Sequence, residues 1–225
     1  MSKIEGSVVF VTGANRGIGR AFVEELLAAG ASKVYAGARN KDSLADLAEY
    51  GAGKVIPVEL DVTKTKTIEA AAEQANDVTI LINNAGIAGY QGLISATDRE
   101  SARGEMETNF FGTLNMVRSF ASALAANGGG AIANISSIAG YVNFPALGSY
   151  SASKAAVHSL TQGIRSELSK QGTLVVGVYP GPVDTDLAAN VPMDKTSPNE
   201  VAKSVLNAIE DGEEDVFPDP VAVQM

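Results

Sequence analysis

The chain has 225 residues, of which 45% are hydrophobic, and its formal net charge at neutral pH is −9. This length and apolar content suffice for one substantial core, so we expect a single domain over residues 1–225. There are no cysteines, which excludes disulfides, thiolate metal sites and cysteine nucleophiles. The single histidine, His158, cannot build a metal cluster and is interpreted as an ordinary helix residue, so we expect no metal site.

The negative charge is concentrated at the C-terminal end. Residues 184–225 hold ten acidic and two basic side chains, a net charge of −8, which leaves −1 for the first 183 residues. No basic stripe is available to neutralise phosphates, so nucleic-acid binding is not expected. We interpret the acidic end as a solvated face or a subunit edge. The N-terminus shows no leader pattern, and no apolar stretch is long enough for a membrane span, which favours a cytoplasmic protein without a membrane partner.

A glycine-rich turn follows the first predicted strand, residues 7–12. It contains Gly13, Gly17 and Gly19, and a helical pattern closed by Gly30 comes after it. Strand, glycine turn and helix together bring backbone N–H groups and a helix N-terminus onto a pyrophosphate. The glycines permit a tight turn and a close approach of the ligand and of the helix to the sheet. The alternative is a tight strand-to-helix connection without a ligand.

The second predicted strand, residues 33–38, ends without an acidic residue. Dinucleotide folds that bind NAD usually place an acid there, to accept hydrogen bonds from the ribose 2′-hydroxyl. Here Ala38 is followed by Arg39, and Arg16 in the glycine turn adds a second guanidinium. Two cations and no carboxylate favour a 2′-phosphate, which predicts NADP(H) rather than NAD(H). The alternative is that Arg39 only begins a solvent-facing loop.

Strands and helices alternate along the rest of the chain. We predict helices over 41–50, 64–74, 98–126, 150–170 and 198–210, and strands over 54–60, 78–82, 131–137 and 173–179. This alternation indicates an α/β protein with a doubly wound parallel sheet of six or seven strands flanked by helices. The prolines within 213–220 predict that a last strand is short or at an edge. Residues 186–197 are interpreted as a mobile loop over the site.

Two polar residues, Asp61 and Asn109, have more than one interpretation. Asp61 could accept a hydrogen bond from an adenine amine, with Val62 beside the ring, and it could equally be the N-cap of the next helix; the two roles are compatible. Asn109 lies inside a predicted helix, where asparagine is intrinsically unfavourable. Either its polar side chain has a role, or it is an exposed helical residue.

Tyr150 and Lys154 lie four residues apart at the start of a helical pattern, so their side chains share one face. A nearby ammonium favours the phenolate, so we expect the pKa of Tyr150 to lie below its usual value of about 10 and Tyr150 to act as a general acid/base. Ser137 ends a predicted strand, where open α/β sheets bind ligands, and its hydroxyl could hold a carbonyl oxygen. The alternative is a serine-rich turn and an ordinary surface pair.

In their order and spacing these motifs resemble the short-chain dehydrogenase/reductase family over nearly the whole chain. They are Thr12-Gly13-x-x-x-Gly17-x-Gly19, Asp61-Val62, Asn83-Asn84-Ala85-Gly86, Asn109, Ser137, Tyr150-x-x-x-Lys154, and Pro180-Gly181 with Thr185. The resemblance implies a Rossmann-type sheet and an NADP(H)-dependent carbonyl reductase or alcohol dehydrogenase. The substrate would be a small carbonyl or alcohol compound.

The resemblance also implies roles for individual residues. Tyr150 would be the acid/base, Ser137 would orient the substrate oxygen, Lys154 would lower the pKa of Tyr150 and bind the nicotinamide ribose, and Asn109 would hold a water in a proton relay. The cofactor-binding residues implied by the resemblance are Gly13, Asn15, Arg16, Gly17, Ile18, Gly19, Arg39, Asp61, Val62, Asn84, Ala85, Gly86, Tyr150, Lys154, Pro180, Val183 and Thr185.

Two other functions stay open. A non-catalytic NADP(H)-binding sensor or scaffold would predict that Ser137, Tyr150 or Lys154 is replaced, but all three are present. A dehalogenating enzyme of the same fold would predict bulky residues in the glycine loop, but the glycines are present. A set of apolar residues could line a pocket for an apolar or aromatic substrate, or could only pack loops: Tyr141, Val142, Phe144, Leu187, Val191 and Met193. The acidic, proline-rich end puts a tetramer in doubt and favours a homodimer formed through the two long helices.

Overall fold

Seven parallel strands form one sheet in the computed structural model of the chain, which describes residues 2–98 and 100–225. They are β1 (Val8–Thr12), β2 (Lys33–Ala38), β3 (Val55–Glu59), β4 (Ile80–Asn83), β5 (Ala131–Ile135), β6 (Leu174–Val178) and β7 (Asp215–Val216). Their order across the sheet is β3-β2-β1-β4-β5-β6-β7. The prediction of a doubly wound parallel sheet of six or seven strands is therefore confirmed, with seven.

The chain reverses its direction across the sheet at β1. It first builds outward to β2 and β3, then returns to the other side of β1 with β4 and continues to β7. Such a reversal opens a crevice between the carboxyl ends of the two central strands, where doubly wound sheets bind ligands. The loops that follow β1 and β4 therefore border the expected site.

Helices cover both faces of the sheet. They are α1 (Gly17–Ala28), α2 (Ala45–Tyr50), α3 (Thr65–Gln74), α4 (Glu100–Glu105), α5 (Gly112–Ala126), α6 (Gly148–Leu168), α7 (Pro198–Asp211) and α8 (Pro220–Gln224). The first hydrophobic cluster joins the sheet to α1, α2 and α7, and the second joins it to α3, α5 and α6. Val9 and Val11 of β1 lie in the first cluster and Phe10 in the second, because successive side chains of a strand point to opposite faces.

Two predicted helices are interrupted in the structure. The segment predicted as one helix over 98–126 consists of α4, a π-helical turn over Met106–Phe111, and α5; Arg99, within that range, lies outside the described residues. The helix predicted over 41–50 begins as a 3₁₀ turn, Lys41–Leu44. π-Helical turns are frequent at functional sites, and this one contains Asn109.

The C-terminal end is short and irregular. β7 has two residues and pairs with β6 at the edge of the sheet, as the prolines of this segment predicted. A short helix that the sequence patterns did not predict, α8, has Asp219 as its N-cap and Pro220 as its first residue. Within the described residues, no helix combines the length and apolar content required to cross a membrane.

A buried polar chain ties the centre of the sheet to α6. The Asn83 side-chain amide donates to the Asn134 side-chain oxygen at 2.9 Å, and the Asn134 amide donates to the Thr161 hydroxyl at 3.0 Å. Thr161 in turn donates to the Val157 carbonyl at 2.8 Å. All three side chains of this chain are buried, so none of them exchanges its partner for water without cost.

Asn134→Ala is expected to lower the free energy of unfolding by about 2–4 kcal/mol, because the buried Asn83 amide loses its acceptor and a small cavity opens. Urea denaturation measures the change. The control is Asn190→Ala, an exposed position, which is expected to stay within about 0.5 kcal/mol of the parent. Equal effects of the two substitutions would contradict a structural role for the buried chain.

Candidate active site

The Thr12 side chain joins the loops that follow β1 and β4. Its hydroxyl oxygen accepts the backbone N–H groups of Asn84 and Ala85, each at 2.9 Å. The Asn84 side-chain amide donates back to the carbonyls of Thr12 at 2.9 Å and Gly13 at 3.2 Å. These four hydrogen bonds, which we call the loop clamp, hold the glycine turn against the 83–86 motif.

Close contacts require the predicted glycines. A Cβ at Gly19 would lie 2.1 Å from the Gly13 carbonyl oxygen and 2.6 Å from the Asn84 side-chain nitrogen. Gly17 has a φ of +53°, and a Cβ there would meet the Thr185 methyl group at 3.1 Å. The glycines thus allow α1 to approach the loop clamp, and they let the glycine turn approach the loop that follows β6.

The N-terminal end of α1 fits the pyrophosphate of a dinucleotide. Arg16, its N-cap residue, makes no side-chain cap, and the first turn carries no acidic residue. The first N–H groups of the helix therefore have no partner within the helix, and the helix dipole favours an anion beside them. Asn15 and Ile18 are half-buried on either side of this helix start.

The two predicted cations lie at the same edge of the sheet. Arg39 follows β2 directly, is exposed, and forms no salt bridge with the described residues. Arg16 pairs with Asp186 at 3.2 Å, and both side chains are largely exposed. A cavity of about 460 Å³ borders this pair between α1 and the start of α7. Both guanidiniums lie at the carboxyl ends of β1 and β2, which we call the cofactor edge after its predicted ligand. Ala38 adds no carboxylate there, but the Asp186 carboxylate offsets the charge of Arg16.

Asp61 is engaged by its own loop. Its carboxylate accepts the N–H of Thr63 at 3.0 Å and the Thr63 hydroxyl at 2.7 Å, and it pairs with Lys64 at 3.3 Å. Burial raises its pKa, but the Thr63 hydrogen bonds and the Lys64 ammonium outweigh burial and hold the pKa below its usual value. The N-cap residue of α3 is Lys64, so Asp61 stabilises the turn before that helix. Val62 is buried beside Gly112.

Asn109 connects the loop after β4 to α6. Its side-chain oxygen accepts the Ile87 N–H at 2.9 Å, and its amide donates to the Ile87 carbonyl and to the Ser153 hydroxyl, each at 2.9 Å. Its residue surface is 1% exposed, so the alternative of an exposed helical asparagine is wrong. Both amide protons are used, which leaves only the oxygen with capacity for a water.

Ser137, Tyr150 and Lys154 lie together at the carboxyl edge of β5. The Lys154 ammonium donates to the Ile135 carbonyl at 2.7 Å and lies 5.7 Å from the centroid of the Tyr150 ring. The Ser137 hydroxyl donates to the Pro180 carbonyl at 3.3 Å and lies beside the Tyr150 phenol. The tyrosine and the lysine are thus not an exposed surface pair, since Lys154 is buried and Tyr150 is half-buried.

The pKa of Tyr150 is raised, not lowered. Burial raises it well above the usual tyrosine value; the Ser137 hydroxyl opposes part of this effect, and the nearby Tyr90 and Glu105 add to it. Burial also lowers the pKa of Lys154 to about 8. The prediction that the pKa of Tyr150 lies below its usual value is therefore wrong for the site formed by the chain itself. The physical reason is that burial disfavours the charged phenolate, while the Lys154 ammonium donates to the Ile135 carbonyl and not to the phenol.

The loop after β6 borders the same crevice. Pro180 and Val183 are buried, and Thr185, another of the predicted cofactor-binding residues, is half-buried against Gly17. Gly86, from the loop after β4, lies near two of the predicted catalytic residues, since a Cβ there would be 3.2 Å from the Asn109 side-chain oxygen and 3.5 Å from the Lys154 ammonium. The structure therefore brings residues that follow six different strands, β1 to β6, to one edge of the sheet.

Segment 186–197 crosses this edge, and its two ends are held together. The Asp184 N–H donates to the Thr196 carbonyl at 2.9 Å, and the Thr196 N–H donates to the Pro182 carbonyl at 3.0 Å. On the other side of the crevice, the Tyr90 hydroxyl donates to the Leu187 carbonyl. The start of this segment is therefore fastened both to its own loop and to the loop after β4.

Of the residues predicted to line a pocket, Tyr141 lies in an aromatic cluster. Its ring packs against His158 at 4.6 Å and Tyr179 at 4.8 Å between centroids. The His158 Nδ1 forms a 2.8 Å hydrogen bond with the Tyr179 hydroxyl. This packing favours the loop-packing alternative for Tyr141 and agrees with the interpretation of His158 as a structural helix residue.

Three residues that hold the site were not among the predicted site residues. Thr12 belongs to the glycine motif, but the partners of its hydroxyl depend on the pairing of β1 with β4. Ser153 accepts from Asn109 and donates to the Tyr150 carbonyl at 2.7 Å. Asp219, which accepts the Gly181 N–H at 2.7 Å, precedes a proline; that pattern indicates a helix N-cap but not the contact with a distant loop.

The burial of Lys154 is expected to make stability depend on pH. Its pKa of about 8 lies below the ordinary lysine value, so between about pH 8 and 10 the folded state binds fewer protons than the unfolded state. The free energy of unfolding should therefore rise as the pH increases through this range. Lys154→Met should remove that rise, whereas Lys170→Met, an exposed control, should keep it. Urea denaturation at several pH values measures the slopes; equal slopes in all three proteins would contradict the expectation.

Known proteins resemble the chain in sequence. The family model described as short chain dehydrogenase matches residues 7–196. An uncharacterized oxidoreductase of Staphylococcus saprophyticus is 34% identical over 221 residues, which cover 93% of this chain and 94% of that protein.

Two solved structures also resemble the chain. A short chain dehydrogenase from Burkholderia cenocepacia, crystallised in complex with NADP, superposes with a TM-score of 0.94 at 46% identity, covering 99% of this chain and 92% of that one. A short chain dehydrogenase/reductase from Burkholderia phymatum, in complex with NAD, superposes with a TM-score of 0.90 at 26% identity, covering 100% and 92%. The match to the family model over most of the chain shows that this chain belongs to the short-chain dehydrogenase/reductase family.

Proposed function

We propose that this protein is an NADP(H)-dependent oxidoreductase that interconverts a carbonyl compound and a secondary alcohol, with Tyr150 as the acid/base. The observation that carries the proposal is the meeting of Ser137, Tyr150 and Lys154 at the carboxyl edge of β5, beside the clamped glycine loop. When bound, the nicotinamide supplies or accepts the hydride. The residues of the chain bind it, orient the substrate and move the proton.

The raised pKa of Tyr150 suits the reductive direction. A phenol with a raised pKa stays protonated at neutral pH, so it has a proton to give to the oxygen of a carbonyl that is being reduced. The Ser137 hydroxyl beside it can hold that oxygen, and the Lys154 ammonium can stabilise the phenolate that remains. Asn109 fixes the loop after β4 against the helix that carries both residues.

Tyr150→Phe tests the acid/base role. The substitution removes the transferable proton but keeps the ring, so turnover should fall by about 10²–10⁴-fold while NADPH affinity changes little. The measurement combines NADPH fluorescence titration with a reduction assay on apolar and aromatic ketones and aldehydes. The control is Tyr50→Phe, at an exposed position on α2, which should keep full turnover.

The same experiment separates the catalytic proposal from its alternative. A parent protein that binds NADPH but reduces no carbonyl compound would favour a non-catalytic sensor or scaffold. A Tyr150→Phe variant that keeps its turnover would contradict the acid/base role without affecting the proposed cofactor.

Charge at the cofactor edge supports NADP(H). Arg39 stands at the end of β2 and Arg16 at the start of α1, and a 2′-phosphate is an anion that two guanidiniums bind well. The Burkholderia cenocepacia protein, 46% identical, was solved with NADP, whereas the more distant Burkholderia phymatum protein was solved with NAD. We therefore propose Arg16 and Arg39 as the residues that favour the phosphorylated cofactor.

Arg39→Asp is expected to weaken NADPH binding by about 10–100-fold, because a charge-assisted contact is replaced by repulsion. Binding of NADH should improve, since the new carboxylate can accept from the ribose hydroxyl. Parallel fluorescence titrations with the two cofactors measure both effects. Arg118→Asp, at an exposed position of α5, changes the net charge equally and is the matched control.

The Asp186→Asn variant probes the same edge in the opposite direction. It releases Arg16 from its ion pair, so NADPH binding should tighten by up to about fivefold, the range expected for an exposed pair. NADH binding should not change.

The two variants can contradict the assignment. If Arg39→Asp weakened the binding of NADPH and of NADH equally, Arg39 would not be part of a 2′-phosphate site.

The apolar side chains of segment 186–197 indicate the class of substrate. We propose that segment 186–197 covers the substrate; Leu187 and Met193 within it are exposed apolar side chains, which favours an apolar or aromatic carbonyl compound. A homodimer through α5 and α6, and a cytoplasmic location, stay predictions.

A further inference from the structure

Asp219 is a buried carboxylate that lies four residues after a run of exposed acidic residues. It is 5% exposed, whereas residues 213–215 are exposed. One carboxylate oxygen accepts the Gly181 N–H at 2.7 Å, and the other accepts the Ala222 N–H at 2.9 Å. The interpretation of the acidic end as a solvated face or a subunit edge is therefore wrong for Asp219, because both of its oxygens bind backbone donors of the same chain.

The Gly181 N–H belongs to the same peptide unit as the Pro180 carbonyl. That carbonyl accepts the Ser137 hydroxyl at 3.3 Å and the Ile138 N–H at 3.1 Å. A peptide unit is planar, so fixing the direction of its N–H also fixes the direction of its C=O. Asp219 thus holds one end of a rigid plane whose other end contacts Ser137.

The negative charge of Asp219 strengthens this connection. Hydrogen bonds to an ionised acceptor are stronger than neutral ones, and hydrogen bonds in a chain polarise each other. A carboxylate on the Gly181 N–H makes the Pro180 carbonyl a better acceptor. The Ser137 hydroxyl therefore points to this carbonyl until a substrate oxygen competes for its proton.

Three contacts hold residues 213–225, which we call the C-terminal segment, and with them Asp219 against the loop after β6. β7 pairs with β6, and Asp215 forms a 2.6 Å ion pair with the mostly buried Arg165. The Phe217 ring stacks on Tyr179, the last residue before Pro180, with centroids 5.3 Å apart. The segment is thus anchored on the strand that leads into the active-site loop.

We propose that Asp219 is a positioning residue of the active site, which orients Ser137 and the loop leading to Thr185 through the Pro180–Gly181 peptide unit. The C-terminal segment is then part of the active site of its own chain. This inference rests on the proposed function for its kinetic consequences, but the structural link between Asp219 and Ser137 is testable without turnover.

Amide hydrogen exchange tests the structural link. In Asp219→Asn the side chain can accept only one of its two N–H partners, because its other terminal group is itself a donor. Exchange at Gly181 should become about tenfold faster or more, and exchange at Ile138, which donates to the Pro180 carbonyl, should also accelerate. Asp211→Asn removes the same charge at the exposed end of α7 and should leave both amides unchanged.

Kinetics on the same variants test the consequence for the site. Asp219→Asn should lower kcat and weaken NADPH binding several-fold at a temperature where it is fully folded, whereas Asp211→Asn should match the parent. Asp219→Glu keeps the charge and both acceptors and should restore most of kcat and of the slow exchange at Ile138. This rescue would not be expected if Asp219 contributed only global stability.

The outcomes separate the two proposals. An Asn variant with fast exchange at Gly181 but parental exchange at Ile138 and parental kcat would overturn the positioning role. If the Asn variant does not fold, a folded Asp219→Glu variant with faster exchange at Gly181 and unchanged exchange at Ile138 would overturn it equally. A parent protein without turnover would refute the proposed function, while the exchange at Ile138 would still decide the link from Asp219 to Ser137.

Discussion

The loop clamp between the ends of β1 and β4 is the interaction on which the rest of the site depends. Thr12 and Asn84 join two loops at the point where the strand order reverses, so the glycine turn and the 83–86 motif form one hydrogen-bonded unit. Gly19 packs closely against this unit, which places the start of α1 beside it. On the other side, Gly86 lies against the Asn109 and Lys154 side chains, which places the proposed catalytic residues relative to the proposed cofactor edge.

The proposed acid/base pair, Tyr150 and Lys154, illustrates how a site can contain interactions that stability alone would not favour. Lys154 is buried with one carbonyl partner, and its lowered pKa shows that the folded chain disfavours its charge. Tyr150 is shifted in the opposite direction, toward the neutral phenol. A neutral proton donor beside a destabilised cation suits the proposed protonation of a developing alkoxide, because the cation gains a negatively charged partner only when the phenolate forms.

Acidic residues of the C-terminal end have two different environments. Most of them face solvent, whereas Asp219 binds two backbone donors inside the protein. A buried carboxylate is tolerated only when hydrogen bonds satisfy it, and here those bonds connect the last helix to the loop beside Ser137. The end of the chain thereby contributes to the same carboxyl edge as the glycine turn near its beginning.

The sequence by itself determined the order of strands and helices, the parallel class of the sheet and most residues of the candidate site. These features follow from local patterns: apolar runs, helical periodicity, a glycine turn and the four-residue spacing of Tyr150 and Lys154. Only the tertiary structure decided the direction of the Tyr150 pKa shift, the π-helical turn around Asn109 and the contact of Asp219 with Gly181. Burial and hydrogen-bond partners depend on segments that are distant in sequence, and no local pattern contains that information.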